Sequence, residues 1–169
     1  MSLTTVQNGM LTSDPSNASN LSSGSIPFAR MPTGSVLQVV QSILSTTITT
    51  TSSTFVNTGF SASITPKFAT SKILVQCAIT CANDVGSSGT TFAIYRGGSK
   101  VFPSTAMTTY AQGYFGTNNW RQTMPLDYLD SPATTSSTTY TLYIAAYGGT
   151  AYISNDASQS TITLMEIVG

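Results

Sequence analysis

The stretch SKILVQCAITC, residues 71–81, decides the fold. Side chains of an extended strand point alternately to opposite faces. One face of this stretch then carries five apolar residues, namely Ile73, Val75, Cys77, Ile79 and Cys81. A helix would scatter these residues around its circumference, and its β-branched members would lose rotamer freedom there. The pattern predicts a long strand with one dry face, central in an antiparallel sheet.

Outward from this strand, the chain from residue 35 onward keeps a β pattern. Strands are predicted at residues 35–41, 55–64 and 161–168, together with a threonine-rich extended run at residues 46–53. Two glycine pairs, at residues 97–98 and 148–149, each separate two strand-like runs, which is typical of a tight hairpin. Residues 103–132 have a less regular pattern. About eight strands and no helix predict an all-β fold, an antiparallel jelly-roll-like β-sandwich.

Residues 1–34 differ from the remainder of the chain. They contain three prolines and many serines and asparagines, and no apolar period long enough to bury a core. We expect this segment to be an extended N-terminal arm that lies against a partner, and residues 35–169 to be the β-sandwich head. The apolar side chains available as anchors in the arm are Leu3, Val6, Met10, Leu21, Ile26, Phe28 and Met31.

The composition limits the partners of the chain. Charged residues make up 7% of it, against about 25% in a typical soluble domain. Serine and threonine together make up roughly a third. The formal net charge is zero, so the sequence offers no electrostatic attraction for nucleic acid or for an anionic membrane. A neutral, sparsely charged surface favours self-association, and we expect an assembly.

Targeting and cysteine signals are weak. The first ten residues lack a basic start with an apolar run, so no signal peptide is predicted, and no window of about 18 apolar residues predicts a membrane span. Cys77 and Cys81 lie about 13 Å apart along one strand. Disulfide partners need Cα atoms within about 7 Å, so these two cysteines are expected to be unpaired, buried apolar residues.

Few residues offer catalytic or metal-binding chemistry. Histidine is absent, which removes the commonest general base and metal ligand. No cofactor and no metal site is predicted. The close acidic pair Asp127 and Asp130 could serve a polysaccharide depolymerase, since glycoside hydrolysis uses two carboxylates. Their proximity to Pro125 and Pro132 favours a role in capping turns. Glu166, on the final strand, is expected to point outward or to bond at an interface.

One aromatic cluster stands out from the polar background. It consists of Tyr110, Tyr114, Phe115, Trp120 and Arg121, with glycines and asparagines between them. Aromatic rings and amides suit a glycan- or receptor-binding surface, for which Tyr110, Tyr114, Trp120 and Arg121 are the candidate residues. The same residue types also fill the end of a sandwich or a subunit interface.

Several segments resemble the tail-fibre and virion surface proteins of phages of aquatic bacteria. The similarity lies in residues 3–11, 34–41, 60–67, 71–75, 125–132 and 140–147. Such proteins have trimeric knobs like the heads of complement C1q and tumour necrosis factor. The resemblance therefore implies a homotrimer, located in the virion, that other virion proteins hold through residues 1–34.

Three functions follow as hypotheses. The first is a structural protein and not an enzyme: a short trimeric fibre or knob that attaches by its arm and binds host surface glycan. The second is a capsid decoration protein, which the shortness of the chain and its lack of shaft repeats favour. The third is the depolymerase that would use Asp127 and Asp130.

Overall fold

The computed structural model describes residues 27–103 and 121–169 in full and the backbone of residues 112–115. The chain divides into two units, Met1–Met31 and Pro32–Gly169. In the first unit, the described residues form one turn of 3-10 helix, Phe28–Arg30, that follows Pro27.

The second unit is built from β-strands. No α-helix occurs within the described ranges. The strands are β1 (Val36–Leu44), β2 (Ile48–Thr50), β3 (Val56–Ile64), β4 (Lys72–Asn83), β5 (Ser88–Arg96), β6 (Ser99–Phe102), β7 (Gln112–Phe115), β8 (Arg121–Asp130), β9 (Thr138–Tyr147), β10 (Ala151–Ile153) and β11 (Ser160–Ile167).

These strands form two antiparallel sheets. In sheet A, β4 pairs with β8 on one side and with β11 and β10 on the other, and these pair in turn with β1 and β2. In sheet B, β5 lies between β9 and the two short strands β6 and β7, and β3 pairs with β9. Strands β10 and β11 both pair with β4, and β6 and β7 both pair with β5, so each of these pairs fills one position in its sheet. Strands β1 and β2 fill one further position, beside β11 and β10. The eleven strands therefore occupy eight strand positions, four in each sheet.

The connections identify the architecture. Six of the ten connections pass from one sheet to the other, and four stay within a sheet, namely β1–β2, β5–β6, β6–β7 and β10–β11. This is the two-sheet antiparallel arrangement of a jelly roll. The prediction of an antiparallel, jelly-roll-like β-sandwich is confirmed.

Strand β4 is central, as residues 71–81 predict. Its inward side chains Ile73, Val75, Ile79 and Cys81 are fully buried. They pack in one core with Phe92 and Ile94 of β5, Leu142 and Ile144 of β9, and Ile162 and Leu164 of β11. Burial of each large aliphatic side chain contributes about 1.5–3 kcal/mol, so the facing sheets hold each other in place.

The first glycine pair forms the predicted hairpin. Arg96 pairs with Ser99, and Gly97 and Gly98 have φ angles of 54° and 88°. A two-residue turn with positive φ at both positions matches the right-handed twist of the strands it joins.

The second glycine pair does not form a hairpin, so that prediction is wrong. It joins β9 in sheet B to β10 in sheet A, and the two strands pair with different neighbours. Gly149 has a φ of 61°, and a Cβ at this position would lie 2.5 Å from Asp84 Oδ1. Glycine is required here by a close approach between connections at one end of the sandwich.

The prediction of an irregular segment at residues 103–132 is also wrong, because residues 121–130 within it form the regular strand β8. Pro125 sits in mid-strand opposite Ala78. A proline cannot donate to a ladder, but β8 pairs only with β4 among the described strands and so tolerates one. The proline hid the strand in the sequence because prolines usually mark strand ends.

Candidate functional site

The predicted aromatic cluster lies mostly outside the described residues. Tyr110 and Trp120 fall in the ranges that are not described, and Tyr114 has only its backbone described, in β7. Tyr114 pairs with Gly89 of β5, and Arg121 pairs with Ala82 of β4. The positions of Tyr114 and Arg121 therefore lie at the same end of the sandwich, on different sheets, where β4 passes to β5.

Arg121 begins β8 and is about half exposed. Its guanidinium forms an ion pair with the Asp156 carboxylate, in the connection between β10 and β11. Exposed pairs of this kind contribute little to stability. The pair does hold the guanidinium at the surface, at the end of the sandwich where β7 lies.

The predicted arm anchors are described only in part. Leu3, Val6, Met10 and Ile26 lie outside the described residues, as does Leu21. Phe28, in the 3-10 helix, is 46% exposed, and Met31 is half-buried.

Asp127 and Asp130 do not form a two-carboxylate site. Both lie within β8, and three residues of extended chain place their side chains on opposite faces of it. Asp127 is exposed on the outer face of sheet A, where Gln76 Nε2 donates a hydrogen bond of 3.1 Å to it. Asp130 is buried on the inner face. The expectation that the pair caps turns is wrong, because strand pairing continues through both residues.

Asp130 instead connects the two sheets. Arg96 Nη1 of β5 donates to its Oδ2 at 2.6 Å, and the Tyr140 hydroxyl of β9 donates to the same oxygen at 2.7 Å. Burial, followed by the hydrogen bond to Asp130, raises the pKa of Tyr140 above its usual value. Burial acts to lower the pKa of Arg96, but the hydrogen bond to Asp130 and its charge raise it overall. Asp130 therefore serves as an anionic link between sheets.

Glu166, like Asp130, has a structural role. The expectation that it points outward is wrong. It is fully buried on β11. Its Oε1 accepts from the Lys67 backbone N–H at 2.6 Å and from the Ser71 hydroxyl at 2.7 Å, and its Oε2 accepts from Gln38 Nε2 at 2.5 Å. The carboxylate fastens the β3–β4 connection to the edge of sheet A.

Both cysteines are buried and unpaired, which confirms the sequence prediction. Burial raises the pKa of the Cys77 thiol to about 12, with a smaller contribution from the Asp127 charge, and burial raises that of Cys81 to about 12. A thiol held neutral is a poor nucleophile and a poor metal ligand. These residues act as core side chains.

The outer face of sheet A carries a row of aliphatic side chains. Val39 pairs with Met165, Met165 with Leu74, and Leu74 with Leu129, so the row crosses four strands. Val39 is 56% exposed and Leu129 is 49% exposed. We call the aliphatic face the outward side chains of Val36, Val39, Ile43, Leu74, Leu129, Met165 and Ile167.

A polar row divides the aliphatic face. It runs from Gln41 through Thr163 and Gln76 to Asp127. Gln41 Nε2 donates to the Thr163 hydroxyl at 2.9 Å, so this row satisfies part of its own hydrogen bonding. Contiguous exposed apolar residues rimmed by polar ones mark protein interaction surfaces.

The described ranges show neither a metal cluster nor a membrane-spanning helix. They contain no group of three or more acidic or cysteine residues placed to hold a metal ion. No helix within them has the length and apolar character that a membrane crossing requires.

The fold and the site define the class of this protein as a two-sheet jelly roll with an exposed aliphatic face. No protein-family model and no curated protein sequence matches the chain. Similar solved structures include the infectious bursal disease virus Gx strain, with 15% identity and a TM-score of 0.45 over 78% of this chain and 37% of that one. Another is the VP2 subviral particle of the same virus, with 14% identity and a TM-score of 0.45 over 80% of this chain and 39% of that one. The chain thus spans less than two fifths of the length of these viral chains.

Proposed function

We propose that the chain is a structural protein of a virus particle and not an enzyme. Residues 35–169 form the exposed head of a homotrimer, and residues 1–34 attach that trimer to other virion proteins. The jelly-roll fold and the similarity of several segments to phage virion surface proteins support this function.

The aliphatic face is the observation that carries the proposal. Four of its side chains, Val36, Val39, Ile43 and Leu129, are between 49% and 56% exposed. A chain with 7% charged residues and zero net charge has little electrostatic repulsion to keep copies apart. Association that covers this face removes apolar surface from water, at about 25 cal/mol for each Å².

Light scattering of the purified full chain tests the assembly. We expect a stable trimer at micromolar concentration. A monomer at that concentration would contradict the proposal, and a dimer would contradict the trimeric head.

A deletion tests the role of the arm. Removal of residues 1–25 is expected to leave a folded trimer that no longer incorporates into particles, because four of the seven anchors are removed, namely Leu3, Val6, Met10 and Leu21. Full-length protein expressed in parallel is the control. Loading of the shortened protein onto particles at the full-length level would show that the arm is not the attachment segment.

Copy number distinguishes two positions on the particle. A decoration protein follows the capsid lattice, whereas a fibre follows the symmetry of the tail. Quantitative gel analysis of purified particles measures the number of copies of this chain relative to the number of copies of the major capsid protein.

The head also binds host glycan in this proposal, through the cluster of Tyr110, Tyr114, Trp120 and Arg121. The Trp120→Ala, Tyr114→Ala double variant is expected to fold and incorporate but to adsorb poorly to host cells. Unchanged adsorption would assign these aromatic residues to packing.

A further inference from the structure

The outer face of sheet B carries a pair of stacked tyrosines. The rings of Tyr95 on β5 and Tyr143 on β9 have centroids 3.7 Å apart and planes 19° apart. Both side chains are half-buried, whereas the adjacent inward residues Ile94 and Leu142 are fully buried. Each ring uses one of its two faces in the stack. The other face of each ring points away from the partner ring.

Hydroxyl side chains flank the pair. Tyr95 pairs with Thr141, and Thr141 pairs with Ser61. One row further, the Ser63 and Thr139 hydroxyls are hydrogen-bonded at 2.7 Å. Such groups can both donate and accept hydrogen bonds, which is what a ligand covered in hydroxyls requires.

A further exposed tyrosine lies on the same face of β9, beyond Ala145, which is fully buried. Tyr147 is 62% exposed and has the same parity in the strand as Tyr143, so it lies on the same face. Four residues of strand separate the two positions by about 13 Å. Gly89 pairs with Tyr147 on one side and with Tyr114 of β7 on the other, so the row continues toward the predicted aromatic cluster.

The charge of this face indicates what it can bind. The outward positions of β3, β5, β6 and β9 contain one charged residue, Lys100, and no carboxylate. The Lys100 ammonium lies 5.8 Å from the centroid of the Phe55 ring. A face of rings and hydroxyls with one charge complements an uncharged ligand that has apolar C–H faces and hydroxyl edges.

We propose that the outer face of sheet B binds a neutral polysaccharide. Tyr95 and Tyr143 provide one stacking position and Tyr147 a second. The distance between them requires a ligand several sugar units long. Ser61, Thr139 and Thr141 hydrogen-bond the sugar hydroxyls. We call this surface the tyrosine face. The inference deepens the glycan-binding part of the proposed function, because it assigns the ligand class and a site that lies mainly on β5 and β9.

A glycan array provides the test. Neutral hexasaccharides of glucose, galactose and mannose are printed beside uronate-containing hexasaccharides, and the purified full chain is applied at several concentrations. We expect binding to at least one neutral oligosaccharide. The Tyr95→Ser, Tyr143→Ser double variant should bind at least about tenfold more weakly, since two aromatic contacts are lost.

Two further variants make the result specific. Tyr95→Phe with Tyr143→Phe keeps both rings and should retain binding within about threefold, because stacking carries most of the interaction energy. Tyr152→Ser is the matched control, since Tyr152 is a half-buried tyrosine on β10 in the opposite sheet. This control should bind as the unmodified chain does. Circular dichroism establishes that each variant is folded.

Several results would overturn the inference. These are binding to no neutral oligosaccharide, binding only to the uronate-containing ones, equal binding by the serine double variant, or an equal loss in the phenylalanine and serine variants. Light scattering of the same samples keeps the two proposals apart. A trimer that binds no neutral oligosaccharide refutes the tyrosine face alone, and a monomer that binds one refutes the assembly alone.

Discussion

The two outer faces of the sandwich differ in chemistry although the same alternation of side chains produced both. The aliphatic face of sheet A presents Val39 and Leu129 at about half exposure, divided by a row of amides and hydroxyls. The tyrosine face of sheet B presents a stacked ring pair among serines and threonines. Aliphatic side chains offer no directional contacts and suit a large, dry protein interface, whereas rings with hydroxyls suit a polar ligand with apolar patches.

If both proposals hold, the jelly roll uses the outer face of sheet A for assembly and the outer face of sheet B for recognition. The core between the sheets is common to both, so each outer face is free to vary without loss of the fold. Substitutions placed on one face, with matched substitutions on the other, can therefore test each role by itself.

The largest expected effect is on assembly. A Val39→Lys substitution places an ammonium on β1, at one end of the row that crosses the aliphatic face, where association would have to desolvate three charges in the proposed trimer. We expect the dissociation constant to rise by about three orders of magnitude, or about 4 kcal/mol, and light scattering to report a folded monomer. Asn57→Lys, at an exposed position of β3 in sheet B, is the control and should leave the proposed trimer intact. Dissociation by both variants would show that the faces do not have separate roles.

The second effect is on the link between the sheets. Asp130→Asn removes the anionic acceptor shared by Arg96 and Tyr140. We expect a loss of about 2–3 kcal/mol in the free energy of unfolding, less than for a fully buried pair because the Arg96 side chain is 33% exposed. Asp127→Asn, three residues away on the outer face, should change it by less than about 0.5 kcal/mol. Urea unfolding of both variants measures the difference, and equal losses would refute the assignment of Asp130 as the link.

The third effect concerns pH. Burial raises the pKa of Cys77 and of Cys81 to about 12 in the folded state, so both thiols stay protonated there, whereas in the unfolded chain each thiol ionises near its usual pKa of 9.0. Their contribution to stability is therefore complete below pH 9 and is lost as the pH rises from 9 toward 12. Each thiol should remove up to about 1.4 kcal/mol per pH unit in that window. Urea unfolding at pH 8, 9 and 10 should show a smaller decline for Cys81→Ala than for the unmodified chain, and an equal decline would contradict the assignment.

The smallest effect concerns the tyrosine pair itself. Tyr143→Ser should reduce the free energy of unfolding by about 0.5–1.5 kcal/mol, because the stacked pair is lost. Tyr143→Phe keeps the ring and should be near neutral. A cost for Tyr143→Ser above about 3 kcal/mol, typical of a core aromatic residue, would mean that the pair belongs to the core and not to a binding surface.

Local patterns determined much of this protein. Alternation over residues 71–81 predicted a central strand with one buried face, and β4 has that strand's position and burial. The Gly97-Gly98 pair predicted its hairpin, because a two-residue turn depends only on the residues in it and on the strands beside it. The unpaired, buried state of the cysteines followed from their spacing along one strand.

Tertiary structure decided what local patterns could not. Gly148-Gly149 looks like Gly97-Gly98 in the sequence, yet it carries the chain from one sheet to the other. Gly149 packs against the end of β4. The strands on either side of the pair, β9 and β10, are hydrogen-bonded to different neighbours in different sheets. Pro125 looks like a strand terminator but lies within β8. The strand tolerates a proline because, among the described strands, β8 pairs with β4 alone and so has a side that needs no hydrogen-bond donor. Whether a residue of one strand ends in the core or at a free edge depends on contacts made by distant segments.

The residues of the two proposed surfaces also depend on tertiary structure. Tyr95 and Tyr143 are 48 positions apart in the chain, so only the register of β5 against β9 stacks them. The row from Val39 to Leu129 likewise needs three strand pairings. The sequence by itself determined the strands with a regular period, such as β4, together with their dry faces and the low charge, because these depend on residue type and period. The tertiary structure decided which strands are neighbours, and therefore which surface residues form a site.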